Sequence, residues 1–264
     1  MPKDRGIEHA NRQFDMSRLI DEKLRRKKKI RILDAGCGYG VAMIEIAKKY
    51  GDRVEVHGFL DNSNCGNQNI MKEQAVIKGV YTRDEIKKAR KFPTYHFFDG
   101  SNKWPLPSNY FDIIYSMAAI YLVDDKVNFL QEANRVLAKN GVARISSPVP
   151  KVQWEGKRLR SHKQKGYPKW YYNYYEVWNN GKEVEFHEYI KKFRGVKVEL
   201  YKNKVKGRNY IEIKKQPKLD LKLRLVASID YNFLWKEWQG VKSIYTTQLS
   251  FKPNYKKDDK YYLK

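Results

Sequence analysis

Residues 33–40 read LDAGCGYG, which places glycines at the alternate positions Gly36, Gly38 and Gly40. A short apolar strand, residues 30–33, precedes them and an amphipathic helix follows. Glycine lets the backbone take positive φ and lets a ligand approach the main chain, while the following helix offers unpaired N–H groups. A strand, a glycine turn and a helix form the opening unit of a doubly wound α/β fold, whose ligands sit at the carboxyl ends of the strands. Taken alone the turn is compatible with several nucleotide-like ligands, or with a purely structural tight turn.

The spacing narrows the choice. Dinucleotide-binding turns carry G-x-G-x-x-G and phosphate loops carry G-x-x-x-x-G-K-[ST], and both cradle phosphate. Here no Lys-Ser or Lys-Thr follows Gly40, and the third glycine comes one residue too early. The pattern Asp-x-Gly-x-Gly-x-Gly, from Asp34 to Gly40, instead resembles motif I of the class I S-adenosylmethionine-dependent methyltransferases, with a type 11-like methyltransferase domain. In that family the turn holds a methionine moiety bearing an amino group, a carboxylate and a sulfonium. The resemblance implies cofactor contacts at Asp34, Ala35, Gly36, Cys37, Gly38 and Gly40, with Asp34 near the cationic amino group.

Three further blocks carry the resemblance. Val54, Val56, Gly58 and Leu60 read as a second strand that ends at Asp61, and an acid there commonly accepts hydrogen bonds from both ribose hydroxyls. Asp61-Asn62-Ser63 resembles the family's D-x-S, but Phe59 and Leu60 both stand between Gly58 and the acid where members usually have one apolar residue. Either a bulge absorbs the extra residue or the ribose contact shifts to Asn62; a plain turn cluster is the other reading. Residues 95–98 form a short aromatic strand before Asp99-Gly100, and 104–116 read WPLPSNYFDIIYS, close to the family's D-A…L-P…F-D-x-V-x-S. The resemblance implies adenine contacts at Asp99 and Gly100, adds Ser116 to the cofactor site, and leaves Asp112 a structural task at the strand entrance. Residues 129–137 read as an amphipathic helix stopped by Lys139-Asn140-Gly141, with a fifth strand over 142–146. Glu132, Arg135, Val136, Leu137 and Gly141 match the family's E-x-x-R-V-L-K-P-G-G block.

The implied fold is α/β: a doubly wound, Rossmann-like, seven-stranded, mostly parallel sheet with a C-terminal β-rich extension. Residues 1–150 are expected to form the cofactor-binding core with an N-terminal helix over 11–29. Residues 151–264 are expected to supply a basic, aromatic substrate arm, the closing strands of the sheet over 196–201 and 209–214, and extra strands over 219–231 and 241–251 that either extend the sheet or form a separate unit. A short helix is expected over 183–193, and the basic run 25–29 reads as a solvated face.

The implied chemistry is in-line methyl transfer from a sulfonium, which needs positioning and exclusion of water more than a dedicated acid or base. Some acceptors are disfavoured. No Asn/Asp-Pro-Pro-Tyr element follows the fourth strand, and neither Cys37 nor Cys65 follows a proline, as a nucleophile acting on cytosine would. Leu122 stands where many relatives carry a histidine. Tyr121, Asp124 and His162 remain the catalytic candidates, with a packed core aromatic as the alternative for Tyr121.

Composition bears on partners. The chain of 264 residues is 41% hydrophobic and can bury a substantial core. No run of about 18 apolar residues suggests a membrane span, no apolar signal core opens the chain, and two cysteines in unlike settings suggest a reducing cytoplasm. His187-Glu188 begins like H-E-x-x-H, but Lys191 fills the second histidine position, and no metal is expected. The net charge is +24, and residues 151–264 carry +16 of it. Within them the segment that begins at Lys157 and ends at Tyr175 interleaves cations with aromatics, which suits RNA or single-stranded nucleic acid. Lysines outnumber arginines 38 to 16, so composition bias alone is the competing explanation. Three readings follow: a methyltransferase acting on RNA, one acting on a small molecule, sugar or lipid precursor, and a non-catalytic binding protein that keeps the fold.

Overall fold

The computed structural model describes residues 6–61, 63, 66–89, 91–117, 119–120, 123, 125–146, 173–178, 184, 186–199, 210–229 and 249–251. Two helices open the chain, α1 (Ile7–Phe14) and α2 (Met16–Leu24), where the sequence pattern suggested one. The break lies at Asp15, which takes the left-handed conformation with φ 50°. Asn11 holds it there: its carbonyl accepts from the Asp15 amide at 2.9 Å and its side chain accepts from the Ser17 amide at 2.7 Å. Phe14, Leu19, Ile20 and Leu24 all point into the core.

The alternating units β1 (Ile30–Ala35), α3 (Val41–Tyr50), β2 (Val54–Leu60), α4 (Gln68–Ile77), α5 (Arg83–Lys88), β3 (Thr94–Phe97) and β4 (Phe111–Ser116) build a parallel half-sheet. α6 (Lys126–Val136) then leads into β5 (Leu137–Ser146). After β6 (Asn173–Val177) and α7 (Phe186–Ile190), the strands β7 (Val196–Glu199) and β8 (Tyr210–Lys214) close the sheet in the order β3-β2-β1-β4-β5-β8-β7. β8 runs antiparallel to both of its neighbours, and the β3-β2-β1-β4-β5 portion is parallel throughout. β9 (Leu223–Ile229) and β10 (Leu249–Phe251) join β6 in a separate three-stranded sheet, which decides between the two expectations for the C-terminal strands.

Alternation along the strands sends side chains into two cores, one on each face. Ile30, Ile32, Val54 and Val56 meet α1, α2 and α3 on one side. Leu33, Ala35, Phe59 and Ile114 meet α6 and the Trp104 segment on the other. The helix α6 starts three residues earlier than its apolar pattern implied because Asp125 caps it, accepting from the Asn128 amide at 3.0 Å. It also stops earlier, and Lys139-Asn140-Gly141 forms a kink inside β5 instead of a helix stop. Pairing jumps there from Phe111–Leu137 to Ile113–Val142, with Asn140 at φ 64°.

The second half of the chain grips α6 at both ends. The Lys126 amide donates to the Tyr175 hydroxyl at 2.7 Å. At the far end Lys215 Nζ donates to the Asn134 carbonyl at 2.8 Å, and the Gln216 amide donates to Asn134 Oδ1 at 2.8 Å.

Candidate cofactor site

Parallel strands end at one edge, so the order β3-β2-β1-β4 brings Asp99 and Gly100, Asp61, residues 34–40 and Ser116 side by side at that edge. The glycine turn has the geometry its residues suggested. Gly36, Gly38 and Gly40 take φ of 82°, 52° and 73°. The amides of Gly36 and Cys37 both donate to the Phe59 carbonyl, at 3.0 and 3.1 Å, which pins the turn to β2, and Gly40 caps α3. The glycines differ in what surrounds them. A Cβ on Gly36 would lie 2.2 Å from Ala119 Cβ and one on Gly40 2.3 Å from the Tyr95 hydroxyl, whereas one on Gly38 would meet nothing within 4 Å. Gly38 is where the main chain lies open to a ligand.

Two residues that the sequence did not single out support that spot. The Tyr95 hydroxyl donates to the Gly38 carbonyl at 3.2 Å. Gly66 lets the same carbonyl approach closely, since a Cβ there would lie 2.0 Å from it. Neither carries a sequence signal, because both depend on how β2, β3 and the 61–67 loop pack around the turn.

Asp34 is buried, and among the described residues its carboxylate has no cation partner. Burial pushes its pKa up to about 7, and the neighbouring Tyr115 hydroxyl offsets part of the rise. A carboxylate in this state gains strongly from a cation delivered by a ligand. Ala35 is fully buried beside it. Burial first, and then Asp34, raise the Cys37 thiol well above its ordinary range, so it is not poised as a nucleophile.

Asp61 is exposed directly after β2. The β1–β2 register runs without interruption from Ile30–Val54 to Ala35–Phe59, so no bulge absorbs the additional residue. Instead β2 runs one residue past β1: Leu60 pairs with Phe97, and its carbonyl accepts from the Phe98 amide at 2.8 Å. Asp99 is exposed and closes its own turn, accepting from the Ser101 amide at 2.8 Å and from Asn102 Nδ2 at 3.0 Å. Gly100 is buried, where a Cβ would crowd Phe129 and Phe59 at 3.2 and 3.3 Å. Ser116 is fully buried, and its hydroxyl has no partner among the described residues. Asn62, Cys65, Tyr121, Asp124 and His162 lie outside the described residues, as does most of the segment 157–175.

The E-x-x-R block supports the loop that carries Asp99. Glu132 accepts from the Trp104 amide at 2.8 Å and binds the Arg135 guanidinium in bidentate fashion, with the closest contact at 2.7 Å. Arg135 spends its remaining donors on the carbonyls of Trp104 and Leu106, at 2.8 and 2.9 Å, and on the Ser108 hydroxyl at 2.9 Å. Beneath the loop, Trp104 meets Phe129 edge-on at 5.0 Å, and Phe59 stacks on Phe98 at 4.3 Å.

The opposite end of the sheet has a different character. Asp112 is buried there and binds Lys27 Nζ at 2.5 Å and the Arg31 amide at 2.9 Å. Lys29 meets Glu55 at 3.3 Å, so the basic run 25–29 lies away from the glycine turn. Glu188 on α7 pairs with Lys191. Among the described residues no group of three or more His, Cys, Asp or Glu is arranged to hold a metal ion, and no helix is long and apolar enough to cross a membrane.

A family model described as a methyltransferase domain matches residues 26–194. Ajmaline N-methyltransferase of Rauvolfia serpentina is 30% identical over 141 residues, which cover 50% of this chain and 43% of that protein, so the chain spans less than half the length of this relative. Among solved structures, a SAM-dependent methyltransferase from Aquifex aeolicus is 18% identical, with 77% of this chain and 90% of that chain covered and a TM-score of 0.43. The YcgJ protein of Bacillus subtilis is 20% identical, with 49% and 50% covered and a TM-score of 0.35.

Proposed function

Because the chain belongs to the class I S-adenosylmethionine-dependent methyltransferase family, we propose that it binds S-adenosylmethionine at the glycine turn and directs methyl transfer to a nitrogen or oxygen acceptor. The observation that carries this reading is Asp34, a buried carboxylate with no cation partner among the described residues, beside Gly38, where a Cβ would meet nothing within 4 Å. That pair suits an ammonium group arriving next to uncrowded backbone. With no bulge to realign Asp61, the ribose hydroxyls would be met by Asn62 beside it, Asp99 and the Gly100 amide would take the adenine edge, and Ser116 would line the same cofactor site. Bound there, the cofactor supplies an activated methyl group on a cationic sulfonium. The chain's own contribution is to hold that group in line with the acceptor and to keep water out.

Residues 1–150 would then serve as the cofactor core, and 151–264 would add a basic, aromatic acceptor arm to the strands that close the sheet and the extra strands beyond them, in a reducing cytoplasm. Tyr121, Asp124 and His162 remain the candidates for placing or deprotonating the acceptor. RNA is the favoured acceptor class, because residues 151–264 carry +16 of the net charge, interleaved with aromatics. The second reading, a small-molecule acceptor, is favoured by the 30% identity to a protein named for N-methylation of ajmaline. The intact glycines and the acids at 34, 61 and 99 speak against a binding protein without turnover.

Titration calorimetry with S-adenosylmethionine tests the cofactor claim: wild type should bind, and Asp99→Ala should lose most of that affinity. No heat of binding to wild type would end the proposal. The acceptor class follows from methyl transfer out of radiolabelled cofactor into fractionated cell extract, with label in the RNA fraction expected. Label in the low-molecular-weight fraction would establish the second reading.

A further inference from the structure

The residue facing Asp34 across the sheet has no assigned task. Asp34 and Tyr115 are direct partners in the β1–β4 register, so both side chains leave the same face of the sheet. Tyr115 is fully buried, and its hydroxyl makes no hydrogen bond of ordinary geometry among the described residues. Phenylalanine would fill the same space without the cost of dehydrating a hydroxyl. The charged and titratable groups around this phenol are Asp34 on β1, Cys37 in the turn, Glu45 on α3 and Arg144, its register partner on β5, whose guanidinium is engaged by Glu212 at 2.8 Å and by the Phe14 carbonyl. Tyr95 on β3 lies beside Cys37 and Asp34. Glu45 already accepts from the Ile7 amide, and the Cys37 thiol is a weak acceptor. Asp34, set directly opposite Tyr115 in the register and buried with it, is the acceptor that the geometry offers.

We propose that Tyr115 is a positioning residue for the cofactor's ammonium group: its buried hydroxyl donates to the Asp34 carboxylate, keeping that group charged and aimed at the open side of the glycine turn. This inference rests on the cofactor reading above. A donor to the charged form of an acid favours that form, so Tyr115 counteracts the burial that favours protonated Asp34. Protonated Asp34 presents no charge to an ammonium group. Cofactor affinity is accordingly linked to pH through Asp34, and Tyr115 sets where on the pH scale the linkage falls.

The test is calorimetric affinity for two ligands between about pH 6 and pH 8.5, measured on wild type, Tyr115→Phe and Asp34→Asn. S-adenosylmethionine carries the ammonium group, and 5′-methylthioadenosine lacks the methionine amino and carboxyl groups. The ratio of wild-type to Tyr115→Phe affinity cancels titration of the ligand itself. For S-adenosylmethionine that ratio should reach about tenfold at the acidic end, as for a midpoint moved up by about one unit, and should shrink toward pH 8.5. For 5′-methylthioadenosine it should stay near one, and Asp34→Asn should lose the acidic limb. A Tyr115→Phe ratio for S-adenosylmethionine that does not change with pH overturns the proposal and leaves the cofactor reading standing. Absence of wild-type binding to either ligand overturns the cofactor reading itself. Tyr115→Met, which also lacks the hydroxyl, gives the same comparison should the phenylalanine variant fail to fold.

Discussion

Removing the guanidinium of Arg135 tests whether the E-x-x-R block acts as a scaffold for the loop that carries Asp99. In Arg135→Ala, Glu132 keeps only the Trp104 amide as a donor, and the carbonyls of Trp104 and Leu106 and the Ser108 hydroxyl all lose theirs. Removing one partner of a buried ion pair costs about 3–5 kcal/mol. The side chains here are 26% exposed at Arg135 and 11% at Glu132, so water reaches part of the pair and the lower end applies, about 3 kcal/mol. In a chain of this size that corresponds to a drop in Tm of roughly 6–10 °C. Arg135→Lys restores the charge but not the planar fork that serves Glu132 and the loop together, and should recover only part of the loss. Urea denaturation gives the stability, and calorimetry with S-adenosylmethionine gives the functional consequence, since the 98–110 loop carries Asp99. The double variant Glu132→Ala/Arg135→Ala should cost less than the two single changes added, because each single change strands the other partner. Stability of Arg135→Ala within about 1 kcal/mol of wild type, or full rescue by lysine, would refute the scaffold argument.

Two further predictions concern the glycine turn and acid stability. At Gly38, alanine meets open space but must hold φ 52°, so Gly38→Ala should fold at a cost of about 1–2 kcal/mol while binding cofactor at least tenfold more weakly. Gly36→Ala drives a Cβ to 2.2 Å from Ala119 and should lower the thermal midpoint well beyond the Gly38 variant; equal melting temperatures would contradict the packing difference. The outer face of β2 and β3 carries His57 and His96, linked at 3.1 Å, with Glu55 3.0 Å from the other nitrogen of His57. Burial lowers the pKa of His96, while at Glu55 burial is outweighed by hydrogen bonds from His57, Lys29 and Tyr110, which bring it from 4.5 down to about 2. Both groups resist protons more in the folded chain than in the unfolded one, so stability is full above their ordinary values and is lost on acidification. The loss should begin below the 6.5 ordinary to histidine and continue between 4.5 and about 2. Stability measured against pH should flatten in the lower window for Glu55→Gln, and a curve that superimposes on wild type would remove Glu55 from the account.

The candidate site was legible in the sequence where local chemistry dictates local shape. Alternate glycines require positive φ, and Gly36, Gly38 and Gly40 take it; apolar alternation places β1, β2 and β4, and the edge they share with β3 gathers Asp34, Asp61, Asp99 and Ser116. Long-range packing was not legible in the same way. Asn11 breaks the N-terminal helix through hydrogen bonds that periodicity does not encode, and Asp125 moves the start of α6 by capping it. Tyr95 and Tyr115 look like ordinary strand aromatics until the register sets one against Gly38 and the other against Asp34. The shift at Asp61 was visible as a departure from the family's spacing, but its resolution depends on Leu60 finding a partner in β3.

The grip on α6 has a mechanical consequence. Its first amide is held by Tyr175 and its last turn by Lys215 and Gln216, so the helix behaves as a strut whose two supports both come from the later half of the chain. The same helix carries Glu132 and Arg135, which hold the loop of Asp99. A load applied at Tyr175, the last residue of the segment expected to meet the acceptor, therefore has a short path of hydrogen bonds to the loop that carries Asp99. Loosening Tyr175 and displacing the Asp99 loop are in this architecture two readings of one strain.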